Sequence, residues 1–230
     1  MKTLGLIGGM SWESTVSYYQ HINQTIKAEL GGLHSAKLLM YSVDFAEVEQ
    51  LQVNGQWQAA GQLLGGVGRK LEGAGADALV LCTNTMHKVA DAISEAVRIP
   101  LLHIADPTAQ AIKNKGFNKV GLLGTRFTME QDFYRSRLES AYGLTVLTPP
   151  QADRDRVHQI IYEELCLGEV KDSSRQTYLR VMADLQAQGA QSIILGCTEI
   201  AMLVRARDTT LPLFDTTALH ARSAALWALS

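Results

Sequence analysis

The sequence of 230 residues predicts an α/β fold of two similar lobes, each a mostly parallel sheet flanked by helices. Two observations lead to this prediction. Short aliphatic runs alternate with longer segments of helical periodicity, which is typical of parallel strands covered by helices on both faces. The second half of the chain also repeats the order of the first half, so we expect the same arrangement twice.

The elements of the first half follow from its aliphatic runs. Leu4-Gly5-Leu6-Ile7 predicts a buried strand, which Gly8-Gly9 closes and a helix from about residue 11 to residue 30 follows. The remaining predicted elements are, in chain order, a strand at 37–43, a helix at 56–71, and strands at 78–81 and 100–102.

The same pattern begins again near Lys115. Residues 120–124 repeat the first strand and its glycine turn, and Thr-Met-Glu-Gln at 128–131 predicts a capping box that opens a helix. Residues 71–83 align with 185–197, which lie 114 positions later. Generic α/β segments also resemble one another, and chance similarity is the alternative. The shared order favours two related lobes, 1–105 and 106–216, with a C-terminal helix at 217–230 that packs back on the first.

Composition excludes several classes of protein. A hydrophobic share of 47%, a charged share of 19% and a net charge of −2 describe an ordinary globular chain without the basic stripe of a nucleic-acid binder. No apolar run approaches the roughly 20 residues of a membrane span, and the N-terminus leads directly into a predicted strand rather than a signal peptide. The three cysteines fit neither a zinc motif nor a disulfide framework, and the six histidines are scattered. We therefore expect free thiols, a cytoplasmic location and no metal site.

The repeat singles out one pair of residues. Parallel sheets of this kind bind ligands beyond the carboxyl ends of their strands, so two facing lobes would bring residues 82–85 and 196–199 to one cleft. The offset of 114 pairs Thr83 with Cys197. Adjacent strand residues point to opposite faces, which predicts that Cys82 is a packing residue and that Thr83 faces the cleft.

Cys197 is the candidate thiol acid/base. Gly196 before it permits close backbone approach, and nearby backbone N–H groups would lower the thiol pKa from about 8.5 and populate the thiolate. The alternative is a buried inert cysteine, because free cysteine is among the most buried residue types.

Polar residues beside this pair are candidate binding groups. Asn84 and Thr85 follow the first strand end, where their side chains and free N–H groups would suit a substrate α-carboxylate. Thr198 and Glu199 occupy the equivalent place, with Glu199 as a partner for an α-ammonium. Both pairs are also typical helix caps. His87 is interpreted as a local hydrogen-bonding residue rather than a base.

Three motifs resemble those of the aspartate/glutamate racemase family over essentially the whole chain. They are the turn Gly8-Gly9-Met10, the segment 83–87 in place of the family's Cys-Asn-Thr, and Gly-Cys-Thr-Glu at 196–199. The resemblance implies two α/β lobes, commonly a homodimer, and an isomerase that works without pyridoxal phosphate or another cofactor. It also implies two cysteines on either side of the substrate α-carbon, one removing a proton and the other returning one.

The sequence departs from the family at its centre, because Thr83 stands where the first catalytic cysteine belongs. A hydroxyl is far too weak an acid to be a ready base at neutral pH, whereas a thiol can be tuned into range. The resemblance then implies that Cys197 takes the proton from the L-enantiomer, while Thr83 at best donates or relays one.

Side-chain specificity is less strongly indicated. By comparison with aspartate racemases, an arginine near Glu47 and a lysine near Cys166 are absent, and Gln52, Arg126 or Thr128 are the replacement donors. L- and D-aspartate or glutamate are the expected substrates, with a broad amino-acid range as the alternative. The full set of candidate site residues is Thr83 and Cys197 as catalytic groups, and Met10, Gln52, Asn84, Thr85, Thr128, Thr198 and Glu199 as substrate-binding groups.

Two further functions stay open at this point. A decarboxylase resembling the arylmalonate decarboxylases would need only a single thiol at the second motif, because that thiol protonates a carbanion and no opposing base is required. A non-catalytic amino-acid binding protein would use Thr83 and Cys197 merely to line a pocket.

Overall fold

The computed structural model describes residues 1–230 and divides into two units of chain. The first unit contains Met1–Ile104 and His220–Ser230, and the second contains Ala105–Leu219. Each unit holds one four-stranded parallel sheet with helices on its faces. The prediction of an α/β fold with two similar sheets is therefore confirmed.

The first unit contains the strands β1–β4 and the helices α1–α4. In chain order they are β1 (Leu4–Gly8), α1 (Trp12–Leu30), β2 (Leu38–Ser42), α2 (Phe45–Val53), α3 (Trp57–Gly73), β3 (Ala78–Leu81), a 3-10 helix (Thr85–Val89), α4 (Ala90–Glu95) and β4 (Leu101–Leu102). The strands lie in the order β2-β1-β3-β4, so the chain crosses from one edge of the sheet to the other.

The second unit contains β5–β8 and α5–α10. In chain order they are α5 (Ala105–Asn114), β5 (Lys119–Gly124), α6 (Arg126–Glu130), α7 (Asp132–Tyr142), β6 (Thr145–Leu147), α8 (Gln151–Glu163), a 3-10 helix (Leu165–Leu167), α9 (Asp172–Ala187), β7 (Ile193–Gly196), α10 (Ile200–Leu203), a 3-10 helix (Ala206–Asp208) and β8 (Leu213–Asp215). A last helix, α11 (Thr216–Leu229), begins in the second unit and ends in the first.

The two sheets have equivalent topology and register. The order β6-β5-β7-β8 repeats β2-β1-β3-β4 strand for strand. Leu79 pairs with Leu101, and Ile193, which lies 114 positions after Leu79, pairs with Leu213. The internal repeat found in the sequence is therefore a structural repeat.

Alternation along the strands assigns side chains of the first sheet to two cores. Leu4, Leu6, Val80 and Cys82 belong to a cluster with α1 and with the alanines of α11. Those alanines recur at helical spacing, as residues 221, 224, 225 and 228. The intervening strand residues, among them Ile7, Leu79 and Leu81, pack in a second cluster with α2 and α3. Both faces are covered, which explains why the strands are continuously apolar.

In each unit, a capping residue marks the start of the helix that follows the central strand β1 or β5. Ser11 caps α1, its hydroxyl accepting a hydrogen bond from the N–H of Ser14 at 3.3 Å. Thr125 caps α6 in the same way through the N–H of Thr128 at 3.3 Å. The predicted capping box at residues 128–131 is wrong, because the cap lies one turn earlier and Thr128 is already inside the helix.

No helix of either unit is both long and apolar enough to cross a lipid bilayer.

Candidate active site

The third strand of the first sheet ends in the segment that carries Cys82 and Thr83. Cys82 is fully buried in the core with Tyr18, its thiol donates to the Val80 carbonyl at 3.6 Å, and burial raises its pKa. The prediction that Cys82 packs in the core is confirmed. Thr83 is 8% exposed, and its N–H donates to the Leu81 carbonyl at 2.9 Å, which turns the chain away from the strand.

His87 holds the carbonyl of Thr83. Its Nδ1 lies 2.7 Å from the Thr83 carbonyl oxygen, and its Nε2 accepts a hydrogen bond from the N–H of Ile104 at 3.2 Å. Both ring nitrogens are thus engaged by backbone groups, which agrees with the interpretation of His87 as a hydrogen-bonding residue rather than a base.

Asn84 and Thr85 are buried beside Thr83. Asn84 stands at the N-terminus of the 3-10 helix, but its side chain makes no capping hydrogen bond there, so its interpretation as a helix cap is wrong. Gln52, on α2, reaches the same segment, and its amide donates to the sulfur of Met86 at 2.9 Å. This contact brings a buried amide from another element next to the Thr83 segment.

The glycine turn after β1 is shaped by backbone proximity. Gly9 has a φ of 93°, and a Cβ at this position would lie 2.3 Å from the Val43 carbonyl oxygen, so only glycine fits. The N–H of Gly9 donates to the Thr15 hydroxyl at 2.8 Å. The side chain of Met10 packs in the core beside Ile7, which leaves the backbone of Met10 as its contribution to a site.

In the second unit, two glycines let the ends of β5 and β7 approach closely. A Cβ on Gly196 would lie 2.9 Å from the Leu123 carbonyl, and one on Gly124 would lie 2.8 Å from the Gly196 carbonyl. Thr128 is fully buried against this junction, and its hydroxyl lies 3.2 Å from that of Thr125. The backbone at the end of β7, directly before Cys197, is therefore tightly packed.

Cys197 and Glu199 form a hydrogen-bonded pair. The thiol donates to Glu199 Oε2 at 3.0 Å, and the hydroxyl of Thr198 donates to the same oxygen. Glu199 is only 4% exposed, so its carboxylate is held at the strand end rather than in solvent. Neither Thr198 nor Glu199 caps α10 with its side chain.

The environment raises the pKa of the Cys197 thiol well above its ordinary value. Burial is the largest cause, followed by the charges of Glu199 and Cys166, and the N–H of Glu199 acts weakly in the opposite direction. The expectation that the pKa of Cys197 lies below its ordinary value is therefore wrong. The N–H contribution exists, but desolvation and the carboxylate outweigh it.

Arg126 follows the first turn of the second sheet, as its sequence position indicated. It is half exposed and pairs with Asp155 at 3.3 Å, while its N–H donates to His158 Nδ1 at 3.3 Å. The guanidinium is thus engaged on the surface of its own unit.

Sequence reasoning missed two neighbours of Cys197. Cys166, on the 3-10 helix, and the buried Tyr178, on α9, pack with Cys197 against one core cluster. Burial is the main cause that raises the pKa of Tyr178, and electrostatic interactions with the two cysteines raise it further. Neither position carries a motif that connects it to residues 196–199, and the comparison with aspartate racemases singled out the neighbourhood of Cys166 only for a lysine that is absent.

The chain as a whole is similar to known proteins. A family model described as Asp/Glu/Hydantoin racemase matches residues 7–224. The chain belongs to this racemase family. Its relatives include aspartate and glutamate racemases, which are isomerases, and the chain is an amino-acid racemase of that class.

Solved structures of the family cover the whole chain. A candidate Asp/Glu racemase from Yersinia pestis is 61% identical over 100% of both chains, with a TM-score of 0.94. An aspartate racemase homologue from Pyrococcus horikoshii OT3 is 33% identical over 100% of both chains, with a TM-score of 0.85.

Curated relatives match shorter parts of the chain. A broad specificity amino-acid racemase from Bacillus subtilis is 26% identical over 67% of this chain and 66% of its own length. A glutamate racemase from Persephonella marina is 28% identical over 56% of this chain and 48% of its own length. The match thus spans only about half of that glutamate racemase.

Proposed function

We propose that this racemase interconverts the L- and D-forms of aspartate or glutamate without pyridoxal phosphate, with Cys197 as the base toward the L-enantiomer and Thr83 on the opposite face of the α-carbon. The observation that carries the proposal is the Cys197 thiol bonded to the Glu199 carboxylate at 3.0 Å, directly beyond a parallel strand. Thr83 lies just beyond β3, the equivalent strand of the other sheet.

The Cys197–Glu199 pair suggests how the thiolate forms. Burial and then the charge of Glu199 raise the pKa of the thiol, so Cys197 rests in the protonated state. An α-ammonium bound to Glu199 would offset that charge and lower the pKa of Cys197. The thiol proton would then pass to solvent, and the resulting thiolate takes the α-proton onto Sγ.

Thr83 has a weaker part in the reaction. Its hydroxyl can donate or relay a proton to the face opposite Cys197, but it does not ionise readily at neutral pH. Because enantiomers are equally stable, kcat/KM must still be equal in the two directions. The asymmetry is therefore expected in kcat and KM separately, and in exchange of the α-proton with solvent.

Binding groups surround each strand end. We propose that Asn84, Thr85 and the backbone of Met10 bind the α-carboxylate, and that Gln52, Thr128 and Thr198 help to bind the rest of the substrate. Gln52 and Thr128 are buried polar residues on the elements that pack against the two segments, which supports this assignment.

The side chain of the substrate is the open part of the proposal. The aspartate racemase homologue from Pyrococcus horikoshii OT3, similar over the full chain, favours an acidic substrate. The broad specificity racemase from Bacillus subtilis supports a wider range. An acidic side chain is our first choice, because 33% identity over the whole length outweighs 26% over part of it.

An amino-acid panel in D2O tests the proposal. Each pure L-amino acid is incubated with the protein, loss of the α-proton is followed by NMR, and the D-enantiomer is quantified by chiral chromatography. We expect α-proton exchange and slower appearance of D-product with L-aspartate or L-glutamate, at most weakly with apolar amino acids.

Three other results have definite meanings. Comparable exchange with many amino acids supports the broad-range alternative. Release of CO2 from an arylmalonate without α-proton exchange from any amino acid indicates the single-thiol decarboxylase. Saturable binding of an amino acid without exchange contradicts catalysis and leaves a binding protein.

We also propose that the racemase is a cytoplasmic homodimer. Its three cysteines are free, as expected for a reducing compartment. The helix α1 exposes Trp12, Val16 and Tyr19 at spacings of four and three residues on one face, and Trp12 is 65% exposed. Sedimentation velocity should show a dimer that Val16→Lys combined with Tyr19→Lys dissociates. A monomeric wild type, or a dimer that both lysines leave intact, contradicts this interface.

A further inference from the structure

A buried imidazole connects the Thr83 segment to the point where the chain leaves the first unit. His87 Nδ1 lies 2.7 Å from the carbonyl of Thr83, and Nε2 lies 3.2 Å from the N–H of Ile104. Ile104 is the last residue of the first unit before the chain passes into the second. His87 itself is nearly inaccessible, so solvent does not compete for these bonds.

The two partners determine the tautomer of His87. A backbone N–H only donates, so Nε2 must present its lone pair to Ile104. A backbone carbonyl only accepts, so Nδ1 must carry the hydrogen that it donates to Thr83. Both bonds exist together only in the neutral ring protonated at Nδ1, a state that the surrounding backbone selects.

The neighbouring rings hold this imidazole in place. The ring of His103 lies 4.5 Å from that of His87, and the ring of His220 lies 5.8 Å away. His220 is itself fixed, because its Nε2 lies 2.8 Å from the Leu102 carbonyl and its Nδ1 lies 2.9 Å from the Tyr18 hydroxyl. His87 is therefore a rigid connection rather than a mobile side chain.

We propose that His87 is a positioning residue for Thr83, holding the Thr83 backbone at a fixed distance from Ile104 so that the hydroxyl meets the substrate α-carbon. This inference rests on the proposed racemase function and deepens it. It predicts a selective defect, because Thr83 serves one face of the substrate whereas Cys197 alone exchanges the α-proton of the L-enantiomer.

Three substitutions separate the two hydrogen bonds. The amide nitrogen of His87→Asn can replace Nδ1 and keep the bond to Thr83, and the amide oxygen of His87→Gln can replace Nε2 and keep the bond to Ile104. His87→Ala removes both. His34→Asn, on an exposed loop, is the matched control.

The readout is the ratio of D-product formation to α-proton exchange, measured from the L-substrate in D2O. We expect His87→Ala and His87→Gln to lower this ratio by about 10- to 100-fold, the range expected when a catalytic group is displaced by about 1 Å. His87→Asn should lie between His87→Ala and wild type, and His34→Asn should match wild type. In a Thr83→Ala background, His87→Ala should cause no further decrease, because its effect passes through Thr83.

The opposite results are equally clear. If D-product and exchange fall together in the folded His87 variants, or if the ratio does not change, His87 has only a structural role. Absence of exchange in the wild type with every amino acid overturns the racemase proposal instead. Nitrogen-15 NMR of the wild-type histidines tests the geometry without any variant, since a neutral His87 protonated at Nε2 contradicts the two hydrogen bonds and the proposal.

Discussion

The segments that follow β3 and β7 occupy equivalent places in the two sheets but are stabilised in different ways. After β3, the backbone of Thr83 is held at both its N–H and its carbonyl, by Leu81 and by His87. After β7, the side chain of Cys197 is held, by the carboxylate of Glu199. The repeated topology thus places Thr83 and Cys197 beyond equivalent strands, whereas the hydrogen-bond partners of the two residues differ.

The electrostatic surroundings of the two segments differ as well. Cys197 lies among ionisable groups, with Glu199 and Cys166 both raising the pKa of its thiol. Thr83 has a neutral hydroxyl, and the ring nitrogens of its neighbour His87 are both bound to the backbone. The pKa of the Cys197 thiol therefore depends on burial and on its ionisable neighbours, whereas the backbone of Thr83 is held by hydrogen bonds.

Removing the Cys197 thiol should cause the largest loss of activity. We expect Cys197→Ser to lower α-proton exchange from L-aspartate or L-glutamate by about 10²- to 10⁴-fold, because it removes the general base. D-product should fall at least as much, and both are measured in the D2O assay. Cys82→Ala is the matched control, since Cys82 lies in the core. Retention of exchange by a folded Cys197→Ser protein would show that another group is the base.

Making the two segments alike should increase turnover. Thr83→Cys places a thiol on the second face, and we expect the racemisation rate to rise by about 10- to 100-fold. α-Proton exchange from the D-enantiomer should also become as fast as exchange from the L-enantiomer. Thr83→Ser, which keeps the hydroxyl, should leave D-substrate exchange slow. Equal exchange from both enantiomers in the wild type would contradict the asymmetric roles.

Replacing the Glu199 carboxylate should change the pKa of Cys197. Glu199→Gln removes a charge that raises the pKa of Cys197, so the thiolate should form at lower pH. The rate at which iodoacetamide alkylates Cys197 is measured across pH by peptide mass spectrometry. In the wild type, this rate should rise at a higher pH than it does for an ordinary cysteine, and in the variant the rise should move toward lower pH. A rise at unchanged pH would mean that Glu199 does not contribute and that burial raises the pKa without it.

The smallest effect should come from the junction beneath Cys197. A Cβ on Gly196 meets the Leu123 carbonyl at 2.9 Å, so Gly196→Ala should lower the free energy of unfolding by about 1–3 kcal/mol. Denaturant unfolding measures this change. Gly73→Ala is the control, because nothing lies within 4 Å of a Cβ at that position and alanine favours the helix. Equal stability of the two variants would show that the β5–β7 junction can relax.

The core position of Cys82 could be predicted from the sequence for a physical reason. Strand residues alternate between faces, so Cys82 could be assigned to the core and Thr83 to the equivalent of Cys197. The capping box at residues 128–131 failed because threonine and glutamine spacing also occurs inside helices. Thr125 is the cap because it directly follows the end of β5, and its hydroxyl accepts a hydrogen bond from the N–H of Thr128.

The two-fold repeat, the racemase family and the packing of Cys82 in the core could all be predicted from the sequence. These predictions depend on periodicity, spacing and residue type, which are visible in the chain itself. The hydrogen bond from the Cys197 thiol to Glu199, the raised pKa of Cys197 and the link from Thr83 through His87 to Ile104 became visible in the folded structure alone. Desolvation and hydrogen bonding depend on which distant segments pack together, and no local pattern records that packing.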